Sequence, residues 1–248
     1  MDRKLLSITL MVAMAFAMVL PIASVSGAPG IPNPDHVFRL SIGNIETVDP
    51  HWAYDTASGE LIQNIYEPLC VFDKNRTDAF EAAVADWWPG YGVNPGNTIE
   101  PSDPAESGYV ETWYFHIRSN VPWQDPAYGY VTPDDVEYSF ERGMLMDHSA
   151  GPMWMLYEPL TGHDTSYEWD LDEDGNLNLT EYQALATAID KSVESNSTHV
   201  WFNLKQKYAP FQQILSQTWS MVMCRQWCED HGLWNKTLVE TYGWNSTE

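Results

Sequence analysis

Basic residues are scarce in this chain of 248 residues: 12 Lys and Arg stand against 35 Asp and Glu, a formal charge of -23. A phosphate backbone or an anionic membrane would be repelled, which argues against nucleic acid and acidic lipid as partners. Cysteine is rarer still. Cys70, Cys224 and Cys228 make an odd set with neither the spacing of a redox pair nor the second cluster of a zinc site, so they point to packing or to a disulfide with Cys70. Motifs of catalysis are missing: there is no Gly-x-Ser-x-Gly elbow, Walker loop, His-Glu-x-x-His or dinucleotide fingerprint, and the seven histidines are scattered. An enzyme is therefore not expected. Carboxylate pairs such as Asp134 and Asp135 fit a helix start, where negative charge meets the positive end of the dipole. Internal repeats and low-complexity tails are absent too.

Aromatic side chains are what the chain has in excess. With 12 Trp, 13 Tyr and 44% hydrophobic residues it has material for a core, which excludes wholesale disorder. Flat, half-polar rings in that number also suit a surface or cleft that contacts something. One long apolar run occurs, Leu5 to Leu20, with a basic start at Met1 to Lys4 and the small residues Ser26-Gly27-Ala28 after it. Residues 1–28 read as a secretory signal peptide with a mature terminus at Pro29, the alternative being an uncleaved anchor. The expected location is extracellular, at the cell surface or in a periplasm-like space. Sequons at Asn75, Asn178, Asn196, Asn235 and Asn245 make a glycoprotein the matching expectation.

From Asp35 onward strands and helices alternate. His36 to Ile42 reads as a strand, and a helix follows from Asp55 or Thr56 with Leu61, Ile62, Ile65, Tyr66 and Leu69 on one stripe. Trp87 to Gly108, dense in Pro, Gly, Asn and Ser, reads as an irregular loop. Trp113, Phe115 and Ile117 alternate with polar neighbours as in a half-buried strand. Thr132 and Asp135 with Pro133 between them form a capping box that opens a helix carrying Val136, Phe140 and Met144 on one face. Ile189 to Val193 and Val200 to Leu204 flank a turn and suggest a hairpin, and Pro210 opens a short helix.

The strongest single motif is Asp170-Leu-Asp172-Glu-Asp174-Gly175-Asn176-Leu177-Asn178-Leu-Thr-Glu181. Calcium takes six to eight oxygens, and an EF-hand loop supplies them from positions 1, 3, 5, 7 and 12 around a Gly at 6. Here those positions are Asp170, Asp172, Asp174, Asn176 and Glu181. Glu181 to Ile189 reads as the exiting helix, whereas Gly162 to Trp169 makes a poor entering one. A structural calcium ion in an insertion is thus expected rather than a sensor; the alternative is an acidic solvated turn.

With these segments placed, the chain resembles the front part of the family 5 extracellular solute-binding proteins, the oligopeptide, dipeptide and nickel receptors of ABC importers. Four stretches carry the likeness: Val48-Asp49-Pro50 with Thr56-Ala57-Ser58 and Ile65-Tyr66-Glu67-Pro68-Leu69; Trp113 to Arg118 with Val121 to Asp125; Val131 to Arg142; and Tyr208-Ala-Pro210-Phe211. The Pro126 to Tyr130 stretch and the calcium-type loop depart from the family pattern. The resemblance implies a mixed α/β fold of the periplasmic-binding-protein-like type II clamshell, with the first lobe and a small extra domain only. Residues 29–70 would be the first lobe's first part, 71–188 the extra domain with the insertion at 170–181, and 189–248 the first lobe's second part, truncated before a second lobe. It implies capture of peptides and their delivery to membrane permease subunits by a monomeric receptor. By position it points to Tyr54, Asp55 and Thr56, and to Met153, Trp154 and Tyr157, as cleft residues, while Arg118 and Trp123 look like fold determinants. A nickel-chelate receptor of the same family and a secreted calcium-dependent adhesion or scaffold module are the alternatives.

Overall fold

In the computed structural model an aromatic core lies between an antiparallel sheet and a layer of helices. Residues 43–86, 97–99, 108–164 and 179–234 are described, all of them in the second of two units, residues 42–248. The elements in chain order are α1 (Thr56–Ile65), β1 (Cys70–Phe72), β2 (Phe80–Ala82), β3 (Asn97–Ile99), β4 (Glu111–His116), α2 (Pro133–Met146), α3 (Trp154–Thr161), α4 (Leu179–Ser192), β5 (Val193–Ser195), β6 (His199–Leu204), α5 (Phe211–Leu215) and α6 (Arg225–Asp230). No helix among the described residues is long and apolar enough to cross a membrane.

β1 and β2 form a small antiparallel hairpin, and the main sheet runs β3-β4-β6-β5, every neighbour antiparallel. Because side chains alternate along a strand, each face of the β4–β6 pair has its own character. Phe115, Val200, Phe202 and Leu204 point into the core, fully buried. Phe202 is the hub, edge-on to Phe115, Phe140 and Phe211 at ring separations of 5.9, 4.8 and 5.5 Å. Such edge contacts add to plain area burial because ring edges are positive and ring faces negative. The opposite face is polar and aromatic. Thr112 donates to Asn203 at 2.9 Å, Tyr114 stacks on Trp201 at 5.4 Å, and His116 lies across from His199.

α2 starts where the capping box places it. Asp135 N donates to Thr132 Oγ1 at 3.3 Å, Thr132 N returns a bond to Asp135 Oδ2 at 2.9 Å, and Pro133 opens the first turn. Val136, Phe140 and Met144 are fully buried, as their spacing predicts. α5 follows Pro210 as expected. The α1 stripe is only partly a core stripe: Ile62 is buried, whereas Ile65 is exposed.

Two features depart from the sequence reading. Ile189 to Ser192 are the last turn of α4 rather than a strand, which begins at Val193. Their place before a turn-rich stretch predicted a hairpin strand, but Ile189 is buried on the helix that carries Leu185, so helical packing extends through them. The loop expected from Trp87 to Gly108 contains β3, recruited by pairing with β4. α4 spans positions 188 and 189, and β5 and β6 beyond it hydrogen-bond into one sheet with β4. The three cysteines are free thiols; Cys70 and Cys228 are buried, burial pushing the Cys70 thiol up to about 12, whereas Cys224 is partly buried and caps α6, its Sγ accepting from Trp227 N at 3.5 Å. The expected signal peptide, the strand at 36–42 and loop positions 170–178 lie outside the described residues.

Candidate ligand-binding face

The turn after Val48 is built by its own side chains. Thr47 Oγ1 accepts from Asp49 N at 3.1 Å, Asp49 Oδ1 accepts from His51 N at 2.9 Å, and Asp49 O accepts from Ala53 N at 3.0 Å. These local bonds are what Thr and Asp offer a turn. Arg142, from the buried side of α2, then clamps the carboxylate with two bonds, Nη1 to Oδ1 at 3.2 Å and Nη2 to Oδ2 at 2.5 Å. Burial alone would push Asp49 up, but the Arg142 guanidinium outweighs it and holds the carboxyl below its ordinary value. A fork-on-carboxylate pair shielded from water is among the stronger polar contacts a protein makes.

His51 completes the lock. It is 1% exposed, and Arg142 Nη1 lies 3.0 Å from its Nδ1. Since a guanidinium can only donate, Nδ1 accepts and the ring is neutral with its proton on Nε2. Burial first and the Arg142 charge second push the imidazole down to about 3, against the opposing pull of Asp49 and of a bond to the Met221 backbone. The lock thereby ties the turn to α2 and to the segment at Met221.

Two glycines allow the next layer to close. A Cβ at Gly143 would meet Met153 Cε at 2.5 Å and His51 Cγ at 3.0 Å, and one at Gly151 would meet His148 O at 3.0 Å and His51 O at 3.1 Å. The segment after α2 therefore lies directly against the turn. Tyr157 fixes α3 in turn, its hydroxyl donating to Met144 O at 2.6 Å.

Large rings stand exposed on this scaffold. Trp52, 40% exposed, stacks on His148 at 4.2 Å; Tyr54, 53% exposed, is edge-on to Trp219 at 6.0 Å; Trp154 at the start of α3 is 51% exposed. Rings held from below and open above offer contact area at little entropic cost. Of the residues expected to line a cleft, Tyr54, Thr56 and Trp154 are exposed, whereas Met153 and Tyr157 are fully buried supports. Asp55 caps α1, Oδ1 accepting from Ser58 N at 2.9 Å, and the Ser58 bonds hold it below its ordinary value. The sequence reading passed over Trp52 and His148, although Trp52 lies two residues before Tyr54 on the same turn.

Of the expected calcium ligands only Glu181 is described. It lies in the first turn of α4, where the last ligand of such a loop belongs. Among the described residues one carboxylate trio, Glu137, Glu141 and Asp190, has ligand atoms within 4.8 Å of one another. Acidic groups at that distance do not by themselves make an ion site. A separate open concavity of about 800 Å³ lies at the far end of α1, lined by Tyr66, Trp123, Tyr128, Cys224 and Trp227 among others.

No family model and no curated protein matches the chain. Solved structures do. The pheromone receptor PrgZ, described with its mode of peptide binding, matches at 18% identity and a TM-score of 0.52 over 77% of this chain and 31% of its own. The substrate-binding domain of an oligopeptide ABC transporter from Bacillus anthracis str. Ames matches at 16% identity and 0.51 over 78% and 31%. MoaA from A. tumefaciens R10, in complex with mannopinic acid, matches at 19% identity and 0.50 over 77% and 30%. The described unit shares part of the fold of these substrate-binding proteins. These neighbours are binding proteins rather than enzymes, and the chain spans about 30% of the length of each.

Proposed function

We propose that this protein is the substrate-binding component of an ABC importer, exported from the cytoplasm, which captures peptides as a monomer and delivers them to membrane permease subunits. It alters no covalent bond of its ligand. The observation that carries the reading is the set of exposed rings, Trp52, Tyr54 and Trp154, held on a buried polar lock within a fold shared with peptide-binding receptors. Flat rings tolerate varied side chains, and backbone hydrogen bonds to an extended peptide would supply affinity independent of its sequence. Asp170, Asp172, Asp174, Asn176 and Glu181 would hold a structural calcium ion, with three aspartates and a bidentate Glu supplying the hard oxygens that calcium prefers.

A nickel chelate is the second reading, because His148 places an imidazole against Trp52 on the same face and the mannopinic acid complex is a non-peptide ligand on this fold. Titration of the chain with a mixed pool of short peptides, followed by tryptophan fluorescence, tests the proposal. A ligand held on one face alone is half solvated, so binding near or weaker than about 1 mM is expected. Trp52→Ala and Trp154→Ala should abolish the response. Response only to a nickel chelate, or a peptide response unaffected by either substitution, would overturn the peptide assignment.

A further inference from the structure

The open concavity at the far end of α1 has walls that hydrogen bonds tie together. Gln124 Nε2 donates to Ile65 O at 3.1 Å, which joins the turn at 121–131 to the end of α1. That turn closes on itself through Trp123 N to Gly129 O at 3.0 Å and Val131 N to Val121 O at 2.8 Å. Val222 N donates to Glu67 O at 3.0 Å and Arg225 N to Asp135 Oδ1 at 2.8 Å, so the segment leading into α6 is held against the end of α1 and against α2. A concavity of about 800 Å³ between walls held in this way has the size of a small-molecule site.

The lining has a consistent chemistry. Four rings contribute, Tyr66, Trp123, Tyr128 and Trp227, and the charged members are the exposed carboxylates Glu67 and Asp125; no Lys, Arg or His is among the described residues that line it. Tyr66 and Trp123 are held by packing against the core, and His231 covers one face of the Trp227 indole, with ring centroids 4.1 Å and planes 21° apart. Arg225, next to Cys224 of the lining, is engaged by Glu229 and Asp134 at 2.8 Å each. Ring faces carry negative partial charge and attract a cation, more strongly where water is partly excluded. An anion would meet two carboxylates on a chain of formal charge -23. A neutral apolar guest would shield those carboxylates from water and give nothing in return. A cation is the guest that suits rings and carboxylates together.

We propose that this concavity binds a small organic cation, an alkylated amine or quaternary ammonium group. Trp227 and its neighbouring rings take the methyl or methylene groups beside the charge, and Glu67 and Asp125 balance the charge from the rim. The residues involved are not those of the ring-bearing face at Trp52, Tyr54 and Trp154, so the site does not depend on peptide capture there. A bound cation would bridge the end of α1, the turn at 121–131 and α6, and stabilise the folded state by mass action.

Choline chloride titrated into the full chain, followed by saturation-transfer NMR on its methyl protons, tests the site. The neutral isostere, in which a tert-butyl group replaces the trimethylammonium group, has the same shape without the charge, and choline should bind about 10-fold more tightly than it does. Trp227→Ala should weaken choline binding about 10-fold. Glu67→Gln and Asp125→Asn should weaken it about 2- to 5-fold each, and these two losses should shrink as salt is added. Asparagine at position 125 can still accept from Ala127 N, as the aspartate does at 2.9 Å, so that turn is kept. Trp227 is 41% exposed, and if its alanine variant fails to fold, as judged by circular dichroism, Trp227→Leu replaces it, keeping apolar bulk without the ring face. No saturable signal at tens of millimolar choline, equal binding of the neutral isostere, or indifference to the Trp227 substitution would overturn the proposal. Loss of choline binding in Trp52→Ala would place the cation on the other face and overturn it as well.

Discussion

His51 makes the protein's stability depend on pH in a direction the structure fixes. An imidazole in the unfolded chain takes a proton near pH 6.5, whereas the buried ring beside Arg142 takes one only at about 3. Below pH 6.5 the unfolded state therefore binds a proton that the folded state refuses. The contribution is fully present above about pH 6.5, falls as the pH drops towards 3, and is level below that. Each pH unit inside the window costs about 1.4 kcal/mol per proton, so at pH 4.5 the loss is about 3 kcal/mol and the ceiling is about 5 kcal/mol. Asp49, held below its ordinary value by Arg142, adds to the loss in the same direction at the acid end. Urea denaturation at several pH values between 7 and 4.5, on wild type and His51→Gln, isolates the ring. Glutamine can still accept from Arg142 through its carbonyl and donate a hydrogen bond through its amide, but does not titrate. Its stability should fall less steeply, by about 1.4 kcal/mol per pH unit between 6 and 4.5. Equal slopes for the two proteins would refute the assignment of a neutral, buried His51, whatever the absolute stability of the variant.

Gly151→Ala should cost about 1–3 kcal/mol in the same urea assay, because its Cβ would press on two backbone carbonyls that cannot swing aside; an unchanged midpoint would mean the two segments are not in such close contact. Added calcium should raise the melting temperature and chelation should lower it. Glu181→Gln should shrink that shift sharply, and a melting temperature indifferent to millimolar calcium would remove the ion from the account.

What could be read from the sequence was local. The capping box at Thr132 and Asp135, the proline before α5 and the stripe of Val136, Phe140 and Met144 each depend on residues within a few positions of one another, and all three are as the spacing predicts. What could not be read was long-range. β3 is a strand because β4 pairs with it, and no periodicity within Asn97–Ile99 announces a partner more than ten residues away. The joining of β4 to β6 likewise depends on a register between residues about 90 positions apart. The site divides the same way. Position along the chain singled out the turn at Tyr54 and the segment at Trp154 as candidates, but which neighbours are exposed depends on Arg142 pulling Asp49 and His51 inward.

That inward pull explains why buried residues and exposed rings are interleaved on one turn. Along Pro50-His51-Trp52-Ala53-Tyr54 the exposure runs buried, buried, exposed, buried, exposed. His51 and Ala53 fill the interior, and between and after them Trp52 and Tyr54 are forced outward. The rings thus owe their position to a polar cluster they do not join. Changes to Trp52 or Tyr54 can alter what is bound with small effect on stability, since half-exposed rings forfeit little burial on truncation. Changes to His51, Asp49 or Arg142 leave a buried polar group unmet and act on the fold first. If the proposed peptide capture holds, specificity would vary on this face while the lock beneath it stays fixed, a division of labour that would suit acceptance of many related ligands.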